Sequence, residues 1–154
     1  MFVTVTTSHQ AIYPAAAIVS TCWLTFYQTF KTVKARKRAG IEYPQMYADK
    51  AEAAASKDAM IFNCTQRAAQ NTLEYLPAVI ACPTTLIGYS KAPPSPMCGT
   101  WSLSRVIYTI GYSTGDPAKR NVYGVTAIQN SLWLGLICNS SVAIAHLALD
   151  NVFA

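Results

Sequence analysis

Two long runs without ionisable charge constrain this chain more than any other feature. No Lys, Arg, Asp or Glu occurs from Met1 to Phe30, nor from Asn121 to Leu149. Each run exceeds the roughly 20 residues a helix needs to cross a bilayer. The 154-residue chain is 52% hydrophobic and 12% charged, against about 25% charged in soluble domains. In lipid only helices and closed barrels satisfy their own backbone, and runs of this length choose helices. The expectation is an all-α, multi-pass integral membrane protein, one domain over 1–154. A secretory signal places its basic residues ahead of the apolar core. Here Lys31, Lys34, Arg36, Lys37 and Arg38 follow it, so the first run reads as a span.

Four spans are predicted, at about 10–32, 60–89, 97–114 and 122–149. The second is kinked or broken by Pro77 and Pro83, whose rings cannot donate a backbone hydrogen bond. Residues 33–59 form the longest connection; "SKAPPSPM" (90–97) and "GDPAKRN" (115–121) are turns. Seven Lys/Arg fall in 31–59 and two in 115–121, against Lys91 on the opposite side. The positive-inside rule therefore puts the first and third connections in the cytosol. The blander account of the 31–38 cluster is that it sets topology, through contact with anionic headgroups.

Polar residues within the spans carry the functional signal. An ionised side chain in hydrocarbon costs roughly 2.5–3.5 kcal/mol on insertion scales and normally faces a bundle interior or a water-filled cavity. Arg67, Asn71 and Glu74 share one helical face at i, i+4 and i+7. Arg105, Tyr108 and Tyr112 repeat the arrangement on the third span. Two intramembrane cations face a single intramembrane acid. An anionic ligand bearing one ammonium would complete such a site; an inert Arg67–Glu74 pair and interfacial tyrosines are the bland alternative. The scattered cysteines (Cys22, Cys64, Cys82, Cys98, Cys138) show neither metal-ligand spacing nor a disulfide framework. His146 reads as a packing residue. Asn63-Cys64-Thr65 and Asn139-Ser140-Ser141 lie at membrane depth, so they read as chance matches to the glycosylation pattern.

"KARKRAGIEYPQMYA" (34–48), "FNCTQRAAQNTLEYLP" (62–77) and "RVIYTIGYSTGDPAKR" (105–120) together resemble the family of membrane-associated proteins in eicosanoid and glutathione metabolism (MAPEG). The similarity runs along essentially the whole chain. It is nearest to the third type of microsomal glutathione S-transferase and more distant from leukotriene C synthase. The resemblance implies a homotrimer of four-helix subunits with glutathione between neighbours near the cytosolic face. By position, Arg67, Asn71, Glu74 and Tyr75 from span two, and Arg105, Tyr108 and Tyr112 from span three, correspond to glutathione contacts. The resemblance adds two contacts from the end of span one: Arg36, with donation by the neighbouring subunit as one option, and Lys37, where relatives often carry a second Arg. Arg120 corresponds to the catalytic arginine facing the sulfur.

Two departures stand out. Ala69 replaces a polar residue of the relatives, and the turn before Arg120 is one residue longer than in leukotriene C synthase, which leaves Lys119 as the alternative sulfur-facing cation. The resemblance implies a glutathione transferase or peroxidase acting on lipophilic electrophiles or lipid hydroperoxides delivered from the bilayer. The alternative is a non-catalytic structural subunit of a larger membrane complex. The endoplasmic reticulum is the membrane the family implies, with mitochondria or another organelle as alternatives.

Overall fold

The computed structural model describes residues 12–85 and 94–153. Its elements are α1 (Ile12–Ala39), α2 (Lys50–Ala55), α3 (Lys57–Thr85), α4 (Pro94–Tyr112), a 3-10 segment (Pro117–Gly124) and α5 (Val125–Phe153). The described residues contain no strand. The outer part of the 90–97 turn, with Lys91, lies outside the described residues, as do the expected ends of spans one and two at 10–11 and 86–89.

α1 runs to Ala39, beyond the expected limit at 32, because the basic cluster is itself helical. Lys and Arg are good helix formers, and Arg36, Lys37 and Arg38 in the last turn complement the helix dipole. Gly40, at φ 68, ends the helix. The amide of Ile41 donates to Arg36 O at 3.3 Å and that of Gly40 to Lys37 O at 3.4 Å, closing a Schellman motif. The connection then holds a short helix that hydropathy does not reveal. Asp49 caps α2 through the Glu52 amide at 2.7 Å, and Glu52 returns a bond to the Asp49 amide at 2.7 Å.

The prolines do not break span two: α3 continues through Pro77 and Pro83 to Thr85. Pro83 deprives the Val79 carbonyl of its helical donor, and Cys98 Sγ approaches that oxygen at 3.8 Å from α4. Nearby, Ser140 Oγ of α5 donates to Cys82 O at 3.2 Å. Cys98 Sγ is also 3.6 Å from Ala17 O, so its single S–H is shared, and neighbouring helices bring donors to the carbonyls at this end of α3.

The core is layered. At one end Ala17, Leu24, Val79, Cys82, Cys98, Trp101 and Leu136 join all four long helices. At the other, Ala35, Ile41, Ala48, Ala59 and Phe62 seal α1, α3 and their connection. Asn63 clamps that connection, accepting from Ala48 N at 2.8 Å and donating to Ala48 O at 2.9 Å. Between the ends lies a buried polar layer of Gln28, Thr72, Arg105, Thr109 and Gln129. This layer builds the site.

Candidate functional site

Arg105 sits inside the molecule, 2% exposed. A buried guanidinium needs its donors satisfied. Nε donates to Thr72 Oγ1 at 3.0 Å, Nη2 to Thr72 Oγ1 at 2.9 Å and to Asn71 Oδ1 at 3.0 Å, and Nη1 to Gln129 Oε1 at 3.0 Å. Tyr108 offers its ring face 4.3 Å from the guanidinium carbon. Every one of these partners is neutral. Gln28 of α1 supports them, donating to Thr72 Oγ1 at 2.7 Å and to Thr109 Oγ1 at 2.8 Å. Gln129 is fixed by donating to Ser104 O at 3.0 Å.

The second charged group lies one step outward on α3. Arg67 reaches Glu74 through two nitrogens, at 2.5 and 3.3 Å, and Asn71 Nδ2 donates to Glu74 Oε2 at 3.1 Å. The two charged side chains are 42% and 45% exposed, so the pair is open to exchange with a ligand. Asn71 links the layers: its oxygen accepts from Arg105 and its nitrogen donates to Glu74.

The third cation comes from the 3-10 segment after α4. Asp116 caps it, accepting from Ala118 N at 3.0 Å, and Pro117 occupies its first turn. Gly111 lets it lie against α4: a Cβ there would stand 2.2 Å from Lys119 O. This packing carries Arg120 to the rim of a cleft of about 220 Å³. Arg67, Asn71, Tyr75, Arg105, Tyr108, Tyr112 and Arg120 line that cleft, with Thr126, Gln129 and Asn130 of α5. Three arginines around one cleft, with Glu74 at its edge, can receive an anion with more than one acidic group. Arg binds carboxylates through paired donors and stays charged.

A family model described as the MAPEG family matches residues 14–139. The chain belongs to the MAPEG family. That family is membrane-associated. Among the described residues of this MAPEG chain, one stretch, Pro117–Asp150, is long and apolar enough to cross a membrane by length and composition, at mean hydropathy 1.7.

The fold gathers seven of the residues singled out in the sequence at one cleft and places Glu74 against two of them. Arg36 and Lys37 do not line it. Arg36 is buried between the rings of Tyr43 and Phe62, 4.3 and 4.5 Å from their centroids, and donates to Gln45 O at 2.6 Å. It ties down the 41–46 connection of its own chain. Lys37 is exposed at the end of α1. Lys119 is not among the cleft residues, whereas Arg120 is. Sequence reading missed the α5 contribution. Thr126, Gln129 and Asn130 fall at i, i+3 and i+4 within the second uncharged run, and polar side chains at helical spacing there were the available signal. Among the described residues the buried Thr126 hydroxyl has no hydrogen-bond partner.

Proposed function

We propose that this chain is a membrane-bound glutathione transferase with peroxidase capacity, nearest in kind to the third type of microsomal glutathione S-transferase. The observation that supports the reading most is the convergence of Arg67, Arg105 and Arg120 with Asn71, Tyr75, Tyr108 and Tyr112 on one cleft. Glutathione carries two carboxylates, one ammonium and a thiol. The cations suit the carboxylates. Glu74 suits the ammonium once its pairing with Arg67 opens, and the unpartnered Thr126 hydroxyl offers a further contact.

At about 220 Å³ the cleft is smaller than the roughly 300–1,000 Å³ typical of ligand sites. That favours a site completed by a neighbour, in a homotrimer of four-helix, multi-pass subunits. Exposed apolar side chains on three helices (Trp23 and Phe26, Leu103 and Ile110, Leu134 and Ile144) suit a lipid-facing exterior. Lys37 is the freer cation to cross a subunit boundary, because Arg36 would have to give up its carbonyl partners. The cytosolic placement of 31–59 and 115–121, and an endoplasmic reticulum location, belong to the same reading.

In the proposed reaction Arg120 lowers the thiol pKa, since a nearby cation favours the thiolate, the reactive nucleophile. With an electrophile, sulfur bonds to carbon and the leaving group departs, or an epoxide opens and takes a proton. With a hydroperoxide, sulfur bonds to the terminal oxygen, the O–O bond breaks and an alcohol leaves. A second glutathione then releases water and forms glutathione disulfide.

Thermal unfolding of the detergent-solubilised protein with glutathione, followed by ultraviolet absorbance of bound thiolate, tests the reading. A ligand selective for the folded state adds about 2.7 kcal/mol at a hundredfold excess over Kd. Absence of both effects rejects the proposal. A second reading, a non-catalytic structural subunit of a larger membrane complex, draws on the mutual neutralisation of Arg67 and Glu74 and on Ala69. Stabilisation without thiolate would favour it.

A further inference from the structure

A second cleft, of about 520 Å³, lies between α1 and α3 at the end where the basic cluster sits, with Ser113 of α4 at its margin. Its lining is divided. Lys31, Lys34 and Arg38 stand at i, i+3 and i+7 on one face of α1. Tyr27, Phe30 and Ile61 supply apolar walls beside them.

The charges do not cancel. Asp58 binds Arg38 at 2.9 Å. Among the described residues no carboxylate pairs with Lys31 or Lys34; Lys31 Nζ instead stands 5.6 Å from the Tyr27 ring centroid. Three cations therefore face one acid. Thr65 is spent on its own helix, donating to Ile61 O at 2.7 Å, so the lysines are the groups left to bind a ligand.

We infer that this cleft holds an anionic phospholipid of the bilayer. Its headgroup phosphate lies between Lys31 and Lys34 and its first acyl carbons on Tyr27, Phe30 and Ile61. Lysine is a compact point charge suited to phosphate. A soluble phosphate would use the lysines and leave the aromatic wall idle. The lipid is favoured because that wall is continuous with the surface: Phe30 is 64% exposed, and Phe26 and Trp23, farther along α1, are 65% and 68% exposed. An acyl chain leaving the cleft meets apolar surface, not water. The site lies on other residues than the arginine cleft, so the inference goes beyond the proposed activity and requires only a membrane location.

Native mass spectrometry of the full chain, released from micelles doped with equal phosphatidylglycerol and phosphatidylcholine, tests it. Phosphatidylglycerol adducts should exceed phosphatidylcholine adducts by about tenfold or more, as expected for two lysines at a headgroup. The Lys31→Gln/Lys34→Gln variant should bind both lipids equally. Asp58→Asn, which releases Arg38, should strengthen the phosphatidylglycerol preference, and this keeps the test decisive if the double variant fails to fold. Phe30→Ser should weaken both adducts. Equal binding by the parent, or an unchanged preference in a folded double variant, overturns the inference. Displacement of the lipid by excess inorganic phosphate overturns it too, marking a free-anion site. Loss of glutathione stabilisation in the parent would bear on the proposed enzyme alone.

Discussion

Gln28 and Thr72, 44 residues apart in sequence, meet at 2.7 Å in the middle of the protein, and the Thr72 hydroxyl that accepts from Gln28 also accepts twice from the Arg105 guanidinium. A side chain from α1 thereby helps to hold the central cation of the cleft, although Gln28 does not line the cleft itself.

Thr72→Val keeps the shape and removes the acceptor. A buried donor deprived of its partner costs about 1–3 kcal/mol, more when charged, so we expect a loss of about 2–3 kcal/mol in unfolding free energy. Thr72→Ser should restore most of it. Chemical denaturation of the three proteins in one detergent checks the series, and equal stability of the Val and Ser variants would contradict it.

Arg67→Leu and Glu74→Leu should change stability little, because exposed ion pairs contribute little. Both should abolish stabilisation by glutathione. The double variant should fold like the parent and fail to bind. Retained binding in the double variant would remove the pair from the site.

Gly111→Ala drives a methyl into the Lys119 carbonyl. Backbone cannot yield as a side-chain tip does, so overpacking of about 1–3 kcal/mol is expected, with a larger fall in turnover than in glutathione affinity as Arg120 shifts. Gly99→Ala is the control: nothing lies within 4 Å of a Cβ there. It should stabilise α4 by about 0.5–1 kcal/mol through helix propensity. Thermal unfolding and steady-state kinetics separate the two.

Arg120→Ala should still bind glutathione but lose the thiolate absorbance near neutral pH, with turnover recovering in part as pH rises. One unit of thiol pKa is about 1.4 kcal/mol. Lys119→Ala should keep the signal. The opposite pattern would hand the sulfur-facing role to Lys119.

Burial holds the Tyr47 hydroxyl, which donates to Gln70 Oε1, above its ordinary pKa of 10.0, against the lowering effect of Arg67. The folded state thus keeps a proton that the unfolded chain releases first. The resulting stability is complete below pH 10 and is lost as pH rises through the folded value. Thermal unfolding between neutral pH and the alkaline limit should show this decline in the parent and a shallower one in Tyr47→Phe. Parallel profiles would remove Tyr47 as a cause.

Periodicity made the polar faces of α3 and α4 legible, because Arg67, Asn71 and Glu74 or Arg105, Tyr108 and Tyr112 can share a side only on a helix. It could not reveal the neutral cradle of Arg105: Gln28, Thr72 and Gln129 come from three helices, and each alone resembles an ordinary polar residue. The continuity of α3 was hidden for a similar reason. Pro83 signals a break locally, and the donors near this end of α3, Cys98 and Ser140, arrive only when α4 and α5 dock. Asp49 and Glu52 do carry a readable capping box, but α2 is too short and polar for hydropathy to register. The rim position of Arg120 rests on Gly111, whose meaning depends on what packs there.

The neutral surroundings of Arg105 leave the interior with a standing positive potential before any ligand arrives. Small anions can respond to that potential as well as the true partner does. Apparent affinities at the arginine cleft should therefore depend on buffer composition, falling in sulfate, phosphate or citrate relative to chloride at matched ionic strength. Comparisons of binding constants for this protein have meaning only within one salt.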